Sequence, residues 1–221
     1  MGYRCEATSI EGFVQQVAVN YIGRGYLFYS TGIVPERKDP RLVDLKLIDK
    51  HGLQISKWSR ARRKKDGLAN VQYIRHGRFF VLLATHGRHK FFEEERTTMK
   101  DVRETPLKFA SYAISYKKGH PCVRIERQTY LDLRGYFLSI ALWSKPKVEQ
   151  AFWNFPFEPW APVRRQIGTI FRRVNEQRML AGYEKLDWSC LRLRRRVVRP
   201  FEAVFNEEAP KGSPQGNILT R

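Results

Sequence analysis

Cysteine is scarce: Cys5, Cys122 and Cys190 are the only three in 221 residues. They are far apart, odd in number and form no CxxC pair. That argues against a zinc ribbon or a disulfide framework and fits buried thiols in a reducing compartment. Long apolar runs are missing as well. None approaches the roughly 18 residues of a membrane span, and the opening "MGYRCEATSIEG" lacks the apolar stretch of a secretory signal. Acidic residues are few, 22 against 41 Lys plus Arg. There is no GxxxxGK[ST] loop, no HExxH and no GxSxG, so P-loop, zincin and serine-hydrolase chemistries have no support. The expectation is an intracellular chain with no membrane partner, no resident cofactor and no metal.

What is present is cationic and aromatic. The formal charge is +19 with a pI near 10.2, far beyond what solubility needs, and such a field favours polyanions. Hydrophobic residues make up 42% and aromatics 13%, enough for a sizeable core. The partner expected from charge is DNA or RNA.

Local patterns point to an α+β chain. "SIEGFVQQVAVNYIGRG" places Ile10, Phe13, Val14, Val17, Tyr21 and Ile22 on one helical face, with Ser9 as cap. "YLFYSTGIV" (26–34) reads as a strand. Asp39-Pro40 opens a second helix, and Ser56 opens a third, short one that stops at Gly67. Residues 70–76 and 79–85 form a hairpin, and the unbroken "FFVLLAT" predicts a strand covered on both faces. Residues 89–104 hold a short helix. Two further strands follow within 107–126, then helices over 128–143 and 144–155. After the proline-bracketed "PFEPWAP" comes a long helix closed by Gly182. The expected organisation is a basic α/β unit over 1–104, strands and helices over 105–155, an arginine-rich helical region over 156–205 and a mobile tail over 206–221.

Three cationic clusters carry the functional reading. "KWSRARRKK" holds Lys57, Arg60, Arg62, Arg63, Lys64 and Lys65, with Arg75 and Arg78 near the hairpin tip. The helix over 162–181 carries Arg165, Arg172 and Arg173 opposite its apolar side. "CLRLRRRVVRPF" adds Arg192, Arg194, Arg195, Arg196 and Arg199, on a segment expected to alternate apolar and cationic faces. The order helix, strand, helix, basic helix, strand, strand over residues 9–85 resembles the winged helix-turn-helix family. That resemblance implies a recognition helix at 57–65 and a wing at 70–85. Arg and Lys outnumber Asn, Gln and Ser on this helix, so phosphate contact is expected over base reading. Such a chain suits a larger nucleoprotein machine of replication, transposition or RNA guidance, and a structural RNA-bound protein is another alternative.

The same elements also resemble the ferredoxin-like sheet of rolling-circle initiators and small tyrosine transposases. The resemblance implies a metal-dependent nicking enzyme in which His86 and His89 hold a divalent ion and Tyr130 attacks a phosphate. The His-hydrophobic-His motif of that family is absent, so an enzyme is the lesser expectation. His86, His89 and His120 with "FFEEE" do not by themselves make another metal site. The acidic run reads as a helix start. Trp143, Trp153, Trp160 and Trp188 are core residues or stacking platforms for single-stranded bases. The tail fragment "KGSPQGN" resembles a Pro-Gln-Gly stretch of reverse transcriptases, but over seven residues it carries no argument.

Overall fold

Capping chemistry sets the first elements of the structure, a computed structural model that describes residues 3–201. The expected tail and its "KGSPQGN" fall outside the described residues. Ser9 Oγ accepts from Gly12 N at 3.0 Å and starts α1, Ile10–Gln15. The same chain then continues as a π-helical segment, Gln16–Tyr21, and a 3-10 turn, Ile22–Arg24, stopped by Gly25 at φ 91°. The single helix expected here is thus three helical forms in succession. Most of its expected apolar face survives the change: Phe13, Val14, Val17, Tyr21 and Ile22 are buried, and Ala18 with them, but Ile10 at the start is 37% exposed.

The strand β1 (Tyr26–Ile33) follows, then α2 (Pro40–Lys50) and α3 (Lys57–Lys65). Asp39 and Ser56 cap the two helices as their sequences predict. The hairpin is β2 (Val71–His76) and β3 (Phe79–Thr85), turning at Gly77 with φ 57°. A one-turn helix α4 (Phe91–Glu94) and a short β4 (Lys100–Asp101) complete a four-stranded sheet. Its order is β2-β3-β1-β4 and every neighbouring pair is antiparallel.

The unbroken apolar run of β3 has a direct cause. Val81 and Leu83 enter the main hydrophobic cluster, while Leu82 and Ala84 enter a second, smaller cluster with Ile48, Leu53, Tyr73 and Phe91. Both faces of the sheet are covered, so alternation with polar residues has no place there.

Between residues 107 and 125 the chain makes three strands, not the expected two: β5 (Leu107–Phe109), β6 (Tyr112–Lys117) and β7 (His120–Ile125). They form a separate antiparallel sheet in that order. The turn between β5 and β6 is built from Ala110 and Ser111, at φ 44° and 64°, so no glycine marks it. Helices α5 (Arg127–Ser139), α6 (Lys145–Trp153) and α7 (Ala161–Leu180) close the main cluster. α7 ends where Gly182 takes φ 76°. The main cluster draws residues from Ala7 to Leu191.

Two histidines give the fold a pH dependence. The His51 side chain is fully buried, with neither ring nitrogen hydrogen-bonded. The His89 ring lies 6.3 Å away and its Nδ1 accepts from Phe91 N. Burial is the first cause holding both imidazoles below the ordinary value; Lys50 adds to it at His51 and Arg63 at His89, with Glu94 opposing at both. An unfolded histidine titrates near about 6.5. Between that value and the lower native ones, the unfolded chain binds more protons, so stability falls as pH falls through this window. The denaturation midpoint should drop between pH 7.5 and pH 5.5, and His51→Phe should flatten the drop.

Candidate nucleic-acid interface

Helix α3 is held on the body by two of its own cations. Arg60 Nη2 donates to Leu53 O and Arg63 Nη2 to Ala69 O. Asn70 Nδ2 donates to Arg60 O and fixes the helix from below. The remaining Lys57, Arg62, Lys64 and Lys65 are exposed, and among the described residues no salt bridge reaches them. Four of these cations, Arg62 to Lys65, sit in the last turn, where the helix dipole favours positive charge. One residue that composition alone did not single out stands among them. Trp58 is 84% exposed, and at i, i+4 and i+7 it shares a helix face with Arg62 and Lys65. Its signal in the sequence was a tryptophan inside a run of cations.

Arg75 does not belong to the surface cluster. It is 3% exposed, with Nε 2.9 Å from Asp44 Oδ1 and Nη2 3.1 Å from Glu6 Oε2. Because β2 is covered on both faces, its guanidinium points inward and is neutralised there. Arg78 is half-buried and donates to the carbonyls of Val34, Pro35, Glu36 and Lys38, tying the hairpin to the loop after β1. Its hydrogen bonds serve the fold.

The C-terminal arginines lie on an extended strap that pairs with no strand. The expected alternation is incomplete, since Leu191 is buried but Leu193 is 38% exposed. Arg192 Nη2 donates to Phe155 O, Arg195 stacks over Trp160 at 4.0 Å, and Arg164 Nη1 reaches Leu193 O. Further on, Gln15 exchanges two hydrogen bonds with Val198 and Thr8 N donates to Pro200 O. The strap therefore runs from α6 and α7 to α1. Arg194 and Arg196 are exposed along it, and Arg199 lies between its two anchors on α1. On α7, Arg165, Arg172 and Arg173 are exposed, and none of them lines the cleft.

The strap ends at a cleft. Phe201, Lys57 and Arg60 line it together with Arg4 and Arg24. A second opening shares Tyr3, Arg4 and Arg60 with the first. Their volumes are about 370 and 630 Å³. The strap thus brings Phe201 beside the basic start of α3, while its own arginines do not line the cleft. The cleft wall is aromatic: burial pushes the Tyr3 and Tyr21 hydroxyls well above the ordinary phenol range, so both stay neutral donors.

The residues of the nicking reading are not assembled. His86 lies beside Phe28, and His89 beside His51 and Phe91, at the smaller cluster. Tyr130 packs against the main cluster and lines a different cavity with Lys108, Arg124 and Arg127. Among the described residues no three His, Cys, Asp or Glu side chains converge as a metal-holding group. Glu94 of the acidic run pairs with Lys50. Of the tryptophans, Trp143, Trp153 and Trp188 are about half exposed and Trp160 is taken by Arg195. No helix among the described residues is long and apolar enough to cross a membrane.

No protein-family model matches this chain, and no curated protein is detectably similar to it.

Proposed function

We propose that this protein binds nucleic acid chiefly through phosphates, using the exposed face of α3 together with the C-terminal arginine strap, and works as a component of a larger nucleoprotein assembly. The observation that carries the reading is the exposed cationic face of α3 with no carboxylate paired to it among the described residues, beside which the strap places Phe201. The strap crosses α1 and delivers Phe201 to the cleft that Lys57 and Arg60 line. Among the described residues no carboxylate neutralises Lys57, Arg62, Lys64 or Lys65 within ion-pair distance. Five other cations of the chain, Lys50, Arg75, Arg103, Lys108 and Lys145, are so paired. An unpaired, exposed cluster keeps its field for a partner.

The sheet supports a ferredoxin-like unit over a winged helix. Its order β2-β3-β1-β4, with two helices between β1 and β2 and a one-turn helix between β3 and β4, supports a reading as a split β-α-β-β-α-β unit. A three-stranded wing has no counterpart to β4. Trp58, standing in water beside Arg62, favours strands whose bases are free to stack.

The test is a salt titration with single-stranded and duplex DNA and RNA of one length. Log affinity should fall linearly with log salt, at about 0.7 per contacted phosphate for a single strand and 0.9 for a duplex. A flat response, or no binding to any of the four, would sink the proposal.

A further inference from the structure

The cleft beside α3 holds more than phosphate ligands. Its rim carries four cations, Arg4, Arg24, Lys57 and Arg60. Its wall carries three tyrosines, Tyr3, Tyr21 and Tyr26. Three side-chain amides, Gln16, Asn20 and Gln72, face the same space. Among the described residues no Asp or Glu lines either opening. A pure phosphate surface needs only the cations, and a core cavity needs none of the polar groups. Amides in fixed orientation beside aromatic rings are the groups that read a base edge and stack its face.

The amides are held in place. Gln72 is 7% exposed. Its Oε1 accepts from Tyr3 Oη at 2.8 Å and its Nε2 donates to Tyr26 Oη at 3.3 Å. An amide nitrogen has two protons, so one remains for a ligand. Tyr3 is itself fixed: its Oη accepts from Tyr73 N, and its one proton lies within reach of both Gln72 Oε1 and Tyr73 O.

Gln16 and Asn20 stand on the π-helical segment, and Asn20 Nδ2 donates to Gln16 Oε1 at 2.6 Å. Arg24 Nη2 reaches Asn20 Oδ1 at the limit of hydrogen bonding. A π-helical turn inside a helix is a strained form that recurs at functional sites. Here it faces the polar cleft with its amide residues while Val17, Ala18 and Tyr21 remain buried. The opening that these amides line, about 370 Å³, lies in the range of small-ligand sites, about 300–1,000 Å³.

From this arrangement we infer that the cleft receives one unpaired nucleotide of a nucleic-acid strand. The base lies against the tyrosine wall, its edge meets Gln16, Asn20 and Gln72, and its flanking phosphates meet Arg4, Arg24, Lys57 and Arg60. The inference rests on the nucleic-acid reading of α3 and adds to it a base-holding pocket and a preference for single strands. In a duplex the base edges and faces are engaged by pairing and stacking.

The experiment uses the full chain and fluorescently labelled homopolymer strands of DNA and of RNA, the matching blunt duplexes, and a single strand of abasic nucleotides with the same charge. Single strands should bind more tightly than duplexes, at least one base type should be favoured, and the abasic strand should bind about tenfold more weakly. Whichever of DNA or RNA binds tighter names the source of the nucleotide. The double variant Gln16→Ala/Asn20→Ala should lose the base preference and about tenfold in single-strand affinity, with the slope of log affinity against log salt unchanged. Equal binding of abasic and base-bearing strands by the unaltered protein would overturn the pocket while leaving phosphate binding by α3 intact. A fall in the salt slope of the double variant would also overturn it, since these amides would then be acting through charge. Absence of binding to every strand would overturn both this inference and the reading it rests on.

Discussion

Asp44→Ala should destabilise the protein by about 3–5 kcal/mol, the range for breaking a buried ion pair by removing one partner. Asp44 lies on α2, 6% exposed, and takes three donors at once: Tyr73 Oη at 2.5 Å, Arg75 Nε at 2.9 Å and Arg75 Nη2 at 3.0 Å. Without it the Arg75 guanidinium keeps its hydrogen bond to Gly77 O and its contact with Glu6, whose side chain is half exposed. The Tyr73 hydroxyl, already pushed far above the ordinary phenol range by burial and by Asp44, loses its acceptor. The cost is therefore desolvation left uncompensated at two groups. The urea midpoint measures it. The double variant Asp44→Leu/Arg75→Met should recover most of the loss, because an apolar pair of similar size carries no buried charge. Arg75→Met alone should leave nucleic-acid affinity unchanged at temperatures where the variant stays folded, because the guanidinium never reaches solvent.

Arg75 also shows where the sequence stops being legible. The helix starts at Asp39 and Ser56, the hairpin turn at Gly77 and the helix end at Gly182 are local chemistry, written in neighbouring residues. The two-sided burial of β3 was legible too, because an apolar run with no alternation leaves no other reading. The inward turn of Arg75 depends on Asp44, thirty-one positions away, and on a second cluster covering β2. An arginine beside a hairpin looks the same whether its partner is water or a buried carboxylate. β5 was missed for a related reason. Its turn uses Ala110 and Ser111 at positive φ, where glycine would have announced it. The cleft is less legible still, because its lining comes from the N-terminus, the π-helical segment, the start of α3, one residue of β2 and the end of the strap. No short window holds more than a few of these residues. The π-helical form was hidden as well, since the apolar spacing of residues 13 to 22 suits an ordinary helix.

Neutralising the outer cations of α3 should have the largest functional effect. In Arg62→Gln/Lys64→Gln/Lys65→Gln, three exposed charges with no ion-pair partner among the described residues are removed, while the anchors Arg60 and Arg63 keep their hydrogen bonds to the body. If each charge meets one phosphate, the salt slope should fall by about 2–3, and affinity at about 0.1 M salt by about 10²-fold. The deficit should shrink toward zero as salt approaches about 1 M, because the lost term is counterion release. The same run has a purely structural use, since these residues stand in the last turn of the helix and suit its dipole. That use is worth only about 0.3–1 kcal/mol per charge at low salt, and it would appear in the urea midpoint. A variant with unchanged slope and a lowered midpoint would assign the cluster to helix stability. A variant with the slope cut and the midpoint nearly kept would assign it to the polyanion. Arg165→Gln/Arg172→Gln/Arg173→Gln, equal in charge and on α7, is the control for position. A comparable loss there would mean that the strand follows α7 as well, and that binding tracks net charge more than the meeting of α3 with the strap.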